Sequence, residues 1–178
     1  MKITKIFLFL IFFALNSNNS MADNTSIYDF NFVDIDGNFI ELSSFIGKPL
    51  LLVNTASRCG FTPQYEGLQN LFIRYRETDL TIIAMTSNTF NQEYEKPEDI
   101  KKICLVNYNV GFITSMPINV KGDKIHPIFN WLKNEYNNTP KWNFYKFLFD
   151  RSGLLLDSWS SITKPDSKKI ITKINNLI

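Results

Sequence analysis

The chain has 178 residues, 44% of them hydrophobic, with 19 Lys+Arg against 17 Asp+Glu. Two of those basic residues, Lys2 and Lys5, precede an apolar stretch from Ile6 to Leu15, and the remainder is formally neutral. That balance excludes an electrostatic grip on nucleic acid or on an anionic membrane.

The opening stretch has the layout of a secretory leader. Basic residues come first, the apolar run is too short to span a bilayer comfortably, and Ser20-Met21-Ala22 places small residues at the −3 and −1 positions of a cleavage site. Residues 1–22 are therefore expected to be a signal peptide, with an uncleaved anchor as the alternative. Residues 23–178 form one domain, long enough for a proper core. The expected address is exported, periplasmic if the envelope is Gram-negative, with no stable membrane insertion after processing.

Tyr28 to Asp34 alternates apolar and polar residues, Asp36-Gly37 supplies a turn, and Phe39 to Leu42 returns as the second arm of a β-hairpin. Gly47-Lys48-Pro49 breaks the chain before Leu50-Leu51-Leu52-Val53, a buried strand leading towards Cys59. Gly60 and Pro63 mark a turn. Tyr65, Leu68, Leu71, Phe72 and Tyr75, three or four apart, then predict a helix from about Gln64. Leu80 to Met85 reads as a second buried strand, and a polar loop runs from Ser87 to Lys96. Pro97-Glu98-Asp99 opens a helix carrying Ile100, Ile103 and Cys104 and continuing to Val110. Pro127 starts another, with Ile128, Phe129, Trp131 and Leu132. Phe144–Phe149 and Leu154–Trp159 form a hairpin across Asp150–Gly153, and a final helix from about Asp166 presents Ile170, Ile171, Ile174 and Leu177. This order predicts an α/β fold of the thioredoxin-like type: a mixed central sheet flanked by helices, with an N-terminal β-hairpin.

Cys59 lies between the carboxyl end of a strand and the amino end of a helix, near unpaired N–H groups and the positive end of a dipole, which favours thiolate over thiol. In Cys59-Gly60-Phe61-Thr62 the fourth residue is a hydroxyl, so dithiol exchange with an immediate neighbour is excluded. A one-thiol nucleophile or an inert buried cysteine remains. Cys104 is the only other cysteine. In an oxidising compartment the two could form a permanent staple or a bridge that opens and closes, and their spacing does not choose. The single histidine, His126, precedes Pro127 at a helix start and reads as a solvated capping-region residue. One histidine does not support a zinc site, and no Gly-rich phosphate loop or flavin or nicotinamide fingerprint is present. No metal and no cofactor are expected.

The run Val53-Asn54-Thr55-Ala56-Ser57-Arg58-Cys59-Gly60-Phe61-Thr62 resembles the active-site signature of the glutathione peroxidase family. The resemblance continues through Tyr65-Glu66-Gly67-Leu68, Ile82-Ile83-Ala84-Met85, Val120-Lys121-Gly122, His126-Pro127, Lys141-Trp142-Asn143-Phe144-Tyr145-Lys146-Phe147-Leu148 and Ser160-Ser161-Ile162-Thr163-Lys164-Pro165. These blocks keep the family's order and spacing over nearly all of residues 23–178.

The resemblance implies a peroxidase. Cys59 holds the family's nucleophile position, attacking a hydroperoxide to become a sulfenic acid. Trp142 and Asn143 match the Trp and Asn around that sulfur, where indole and amide N–H groups stabilise thiolate and departing oxygen. Cys104 matches the resolving cysteine of thiol-dependent members, implying a Cys59–Cys104 disulfide reopened by a thioredoxin-like protein, or, failing that, glutathione acting directly on Cys59. The family's Asn-Gln-Phe-Gly loop reads Asn88-Thr89-Phe90-Asn91 here, with Gln92-Glu93 one residue early. Thr89's hydroxyl is shorter than the usual Gln, so it stays outside the expected site, and the shortened loop leaves open whether Gln92 swings in. The short segment Lys133–Lys141 implies a monomer, and no arginine cluster for glutathione is evident. Two rivals share the fold: a redox sensor or disulfide donor passing oxidising equivalents to a partner protein, and a binding domain with a structural disulfide.

Overall fold

The computed structural model describes residues 25–178. The leader expected over residues 1–22 lies outside the described residues, as do residues 23 and 24. β1 (Asn31–Val33) and β2 (Phe39–Glu41) form the expected hairpin, with Gly37 in the left-handed region at φ 89°. β3 (Leu50–Thr55) is buried at every position, as a strand covered on both faces must be. α1 (Gln64–Tyr75) follows, then β4 (Thr81–Thr86), and α2 (Pro97–Lys101) with Pro97 in its first turn. β5 (Ile113–Thr114), α3 (Pro127–Tyr136), β6 (Lys146–Phe149), β7 (Leu155–Trp159) and α4 (Lys168–Asn175) complete the chain.

The sheet order is β5-β4-β3-β6-β7. β3, β4 and β5 run parallel, while β6 and β7 are antiparallel, so the sheet is mixed as expected. Alternation along β3 divides the core. Leu51 and Val53 face α1, α2 and α4 through Leu68, Leu71, Ile100 and Ile170. Leu50 and Leu52 face α3 and the hairpin through Phe129, Leu132 and Phe32.

Two details depart from the sequence reading. The helix opened by Pro97 does not continue to Val110 as an α-helix: Lys102–Asn107 is a π-helical turn that ends at Asn107. β5 was not foreseen; it pairs Ile83 with Ile113, and a bridge from Asp34 to Ser115 joins the hairpin to that edge of the sheet. His126 does cap α3, its Nδ1 accepting from Ile128 N at 3.4 Å, and it is half-buried.

At the end of the sheet where β3 begins, Arg151 gathers three loops. Its guanidinium donates to Gly47 O (2.8 Å), Leu177 O (3.0 Å) and Asp79 Oδ2 (3.1 Å). The opposite end, where β3 stops at Thr55, is left to the Cys59 turn. No described helix is long and apolar enough to cross a membrane.

Candidate active site

Beyond Thr55 the chain turns through Ser57–Pro63 into α1, and hydrogen bonds fix nearly every step. Thr62 Oγ1 accepts from Cys59 N (3.0 Å) and donates to Ala56 O (2.9 Å), while Thr62 N donates to Cys59 O (3.0 Å). The hydroxyl that stands where a second thiol would sit in a dithiol motif therefore closes the turn. Phe61 N points at the sulfur, donating to Cys59 Sγ at 3.4 Å, and this is the one hydrogen bond Sγ makes among the described residues. Cys59 is 6% exposed, and both thiols are free. Beside the turn lies a cleft of about 440 Å³ bordered by Gly60, Phe61, Gln64, Ile162 and Lys164.

The loop after β4 supports the turn from below. Asn91 N donates to Asn88 O (2.9 Å), and Asn91 adopts φ 58°, a left-handed conformation that Asn tolerates. This tight reversal brings Gln92 and Glu93 to the backbone of Ser57 and Arg58, just before Cys59. Gln92 O accepts from Arg58 N (2.9 Å), and Glu93 Oε1 accepts from Ser57 N (3.1 Å) and Tyr94 N (2.9 Å). Thr89 is occupied elsewhere: its Oγ1 accepts from Val120 N (3.0 Å) and meets Ser87 Oγ at 2.8 Å.

Trp142 and Asn143 reach the same end of the sheet through Asn54, near the carboxyl end of β3. Asn54 Nδ2 donates to Trp142 O (3.1 Å), its Oδ1 accepts from Tyr145 N (2.9 Å), and its backbone O accepts from Phe144 N (2.6 Å). Phe144 is bent to φ 64°, an outlier for a bulky residue that costs about 1–3 kcal/mol. The three Asn54 bonds and an edge-on contact with Tyr65 (5.5 Å) hold it there. Asn143 is fully buried, and its Nδ2 donates to Gln92 Oε1 at 3.0 Å. Two hydrogen bonds thus connect Asn143 to the residue preceding Cys59. Trp142 is 40% exposed, its ring packed on Phe90 at 5.2 Å.

Cys104 sits in the π-helical turn, 3% exposed, in the same core cluster as Cys59 and Tyr65. Burial pushes its thiol up to about 11; the Tyr65 hydroxyl works against that shift and the Glu93 carboxylate adds to it. Glu93 is itself fully buried, and desolvation raises its carboxyl group. Its Oε2, Ser57 Oγ, Thr55 Oγ1 and Tyr65 Oη are all buried without a hydrogen-bond partner. Sequence reading did not single out this polar pocket, nor Asn54 or Lys146. Lys146 Nζ is buried between Gln64 Oε1 and Thr163 O, and desolvation lowers it to about 7. A lysine inside the otherwise apolar and aromatic run Phe144–Phe149 was the available signal.

Comparison with known proteins finds relatives in both sequence and fold. Residues 27–133 match the model of the glutathione peroxidase family. The chain is 42% identical over 144 residues to the glutathione peroxidase-like peroxiredoxin gpx1 of Schizosaccharomyces pombe, covering 78% of this chain and 91% of that one. It is 39% identical over 154 residues to the hydroperoxy fatty acid reductase gpx1 of Synechocystis, covering 80% and 91%. The crystal structure of Trgpx in apo form superposes with a TM-score of 0.68 at 35% identity, over 86% of this chain and 95% of that one. With the family model matched over residues 27–133 and relatives about 40% identical over most of its length, the chain belongs to the glutathione peroxidase family.

Proposed function

We propose that Cys59 carries out this family's thiol-dependent peroxide reduction and that Cys104 resolves it. The observation that carries the reading is a thiol on a hydrogen-bonded strand-to-helix turn, faced by the Phe61 N–H and tied through Arg58 and Gln92 to a buried Asn143. The Cys59 thiolate attacks the terminal oxygen of R–O–O–H. The S–O bond forms, the O–O bond breaks, and the alkoxide takes a proton to leave as ROH, with Cys59 left as a sulfenic acid. Trp142 and Asn143 supply N–H donors to the oxygens during that step. The Cys104 sulfur then displaces hydroxide from the sulfenic sulfur. Its thiol proton leaves with that hydroxide as water, and a Cys59–Cys104 disulfide remains.

The second step requires Cα atoms about 5.5–6 Å apart, and the sulfur of the buried Cys104 is delivered by opening of its turn. A π-helical turn suits this, being an irregular element that unwinds more readily than an α-helix. A thioredoxin-like dithiol returns the enzyme to the free thiols, and the protein works as an exported monomer. The names of the yeast peroxiredoxin and the Synechocystis reductase support thiol chemistry and a hydroperoxide substrate.

The test mixes reduced protein with one equivalent of hydrogen peroxide or a fatty-acid hydroperoxide, maps the product by mass spectrometry, and compares thioredoxin-like donors with glutathione in a coupled assay. Loss of peroxide with a Cys59–Cys104 disulfide and faster turnover with the dithiol donor is the expected result. Peroxide left intact, with both thiols unchanged, overturns the reading.

A further inference from the structure

We propose that Lys146 is a positioning residue of the peroxide site: its buried amine ties Gln64, the first residue of α1, to segment 160–164, and that tie holds Asn143 against the Cys59 turn. The proposal rests on the peroxidase reading above.

Lys146 stands on β6, wholly buried, paired in register with Val53 on one side and Trp159 on the other. Its Nζ donates to Gln64 Oε1 and to Thr163 O (2.7 Å). Gln64 completes the tie, its Nε2 donating to Ser161 O at 2.6 Å. Ser161, also buried, donates through Oγ to Asn143 O at 2.6 Å. A connected set of hydrogen bonds thus runs from the lysine, through the start of α1 and segment 160–164, to Asn143. Gln64 directly follows the Cys59 turn, its N donating to Phe61 O (2.8 Å), so the tie joins the thiol side of the site to the Asn143 side. Gln64, Ile162 and Lys164 also border the cleft beside that turn.

A lysine is a costly choice for this place. It has no carboxylate partner among the described ion pairs, and both of its acceptors are neutral. Desolvation lowers it to about 7. A methionine of similar length would fill the space without burying an amine. What the amine adds is direction. Both of its bonds are donated, so Gln64 must turn Oε1 towards it, which leaves Nε2 for Ser161 O. A carboxamide rotated by half a turn would set oxygen against oxygen at Ser161. The lysine therefore orients Gln64, and Gln64 holds the segment that carries Ser161 to Asn143. Lys146 makes no hydrogen bond to Cys59, whose Sγ is bonded by Phe61 N, so it acts through these intermediate residues.

The experiment measures two rates at Cys59 in a Cys104→Ser background: oxidation by one equivalent of hydrogen peroxide and alkylation by iodoacetamide. Alkylation uses the same thiolate but expels iodide, so it needs no N–H donor at a departing oxygen. The variants are Lys146→Met, Gln64→Met, their pair, and Ser161→Ala, each first shown by urea unfolding to be folded under the assay conditions. Lys146→Met is expected to lower the ratio of peroxide rate to alkylation rate about tenfold, the size of one lost hydrogen bond. Gln64→Met should lower it by a similar factor, and the pair no further than Lys146→Met alone, the non-additivity of a residue acting through another. Ser161→Ala removes only the last link; it should lower the ratio roughly three- to tenfold, and it carries the test if Lys146→Met does not fold. In Lys146→Met, hydrogen exchange should quicken at the Thr163 amide, which bonds Ser160 O, while the loops gathered by Arg151 keep their protection. A ratio unchanged in Lys146→Met or in Ser161→Ala, or effects that multiply in the pair, would overturn the proposal. Both rates slowed alike leave the ratio unchanged, the mark of a purely structural lysine. A wild-type chain that leaves peroxide untouched overturns the peroxidase reading before any variant is compared, so the two failures are distinguishable.

Discussion

Around Cys59 the backbone is held from several directions: by Thr62 within the turn, by Gln92 and Glu93 from the loop after β4, and by the Phe61 N–H at the sulfur. Around Cys104 the helix loses its regular pattern, Leu105 and Val106 stand 56% and 72% exposed, and Val110 N reaches back to Cys104 O at 3.0 Å in a wide turn. On the proposed mechanism the first thiol is fixed where substrate arrives, and the second is stored as a neutral group in a segment that opens. In the proposed cycle the difference teaches that a nucleophilic and a resolving cysteine have unlike structural requirements, since one must be preorganised and the other released.

The strongest way to break this comparison is to remove each sulfur in turn. Cys59→Ser should abolish peroxide consumption, a loss of about a thousandfold or more, because a serine hydroxyl is a poor nucleophile without a base. Cys104→Ser should leave the first oxidation intact while reducing turnover with a dithiol donor roughly ten- to a hundredfold. Rapid-mixing kinetics separates the two, and equal effects on the first step would remove the division of labour. Next in size is Thr62→Val, which strands Cys59 N and Ala56 O inside the turn. It should cost about 1–3 kcal/mol in urea unfolding. An unchanged midpoint would mean that Thr62 does not lock the turn.

Two smaller effects sharpen the contrast through pH. Glu93→Gln removes a negative charge that pushes the Cys104 thiol upward, so thiolate absorbance of Cys104, followed in a Cys59→Ser background, should titrate below about 11. A rise would show that Glu93 does not act on Cys104. Lys146 is lowered to about 7 from an ordinary 10.5. Between those values the unfolded chain binds a proton that the folded chain does not, so this residue's contribution to stability increases as pH rises from 7 to 10.5. It is least favourable below 7, where a charged ammonium is buried. Relative to Lys146→Met, wild-type stability in urea should therefore improve across that window, and a difference that is flat with pH would refute the assignment.

Much of this was readable from the chain. Leu50–Val53, Gly60 and Pro63, and the spacing from Tyr65 to Tyr75 placed Cys59 between strand and helix, because strand, turn and helix each leave a local signature. β5 escaped, since two residues cannot display a period and their place is set by pairing with Ile83. The π-helical turn escaped because its composition is that of an ordinary helix. In the site, the importance of Gln92 and Glu93 depends on partners 51 and 36 residues away, and Lys146 depends on Gln64 across 82 residues. Such pairings are properties of the folded chain and leave no neighbouring pattern. Thr89 shows the same limit: its hydroxyl side chain is plain in the sequence, but the engagement of that hydroxyl by Val120 N is not.

The three loops gathered by Arg151 give the molecule a natural point of attachment. β3 spans six residues, about 20 Å, between that cluster and the mouth of the thiol turn. A fluorophore, affinity handle or surface tether grafted at Ser152, exposed on the Asp150–Gly153 turn, would face away from incoming peroxide and from any docking reductant. The protein could be immobilised there as a peroxide sensor with its reactive pole pointing into solution.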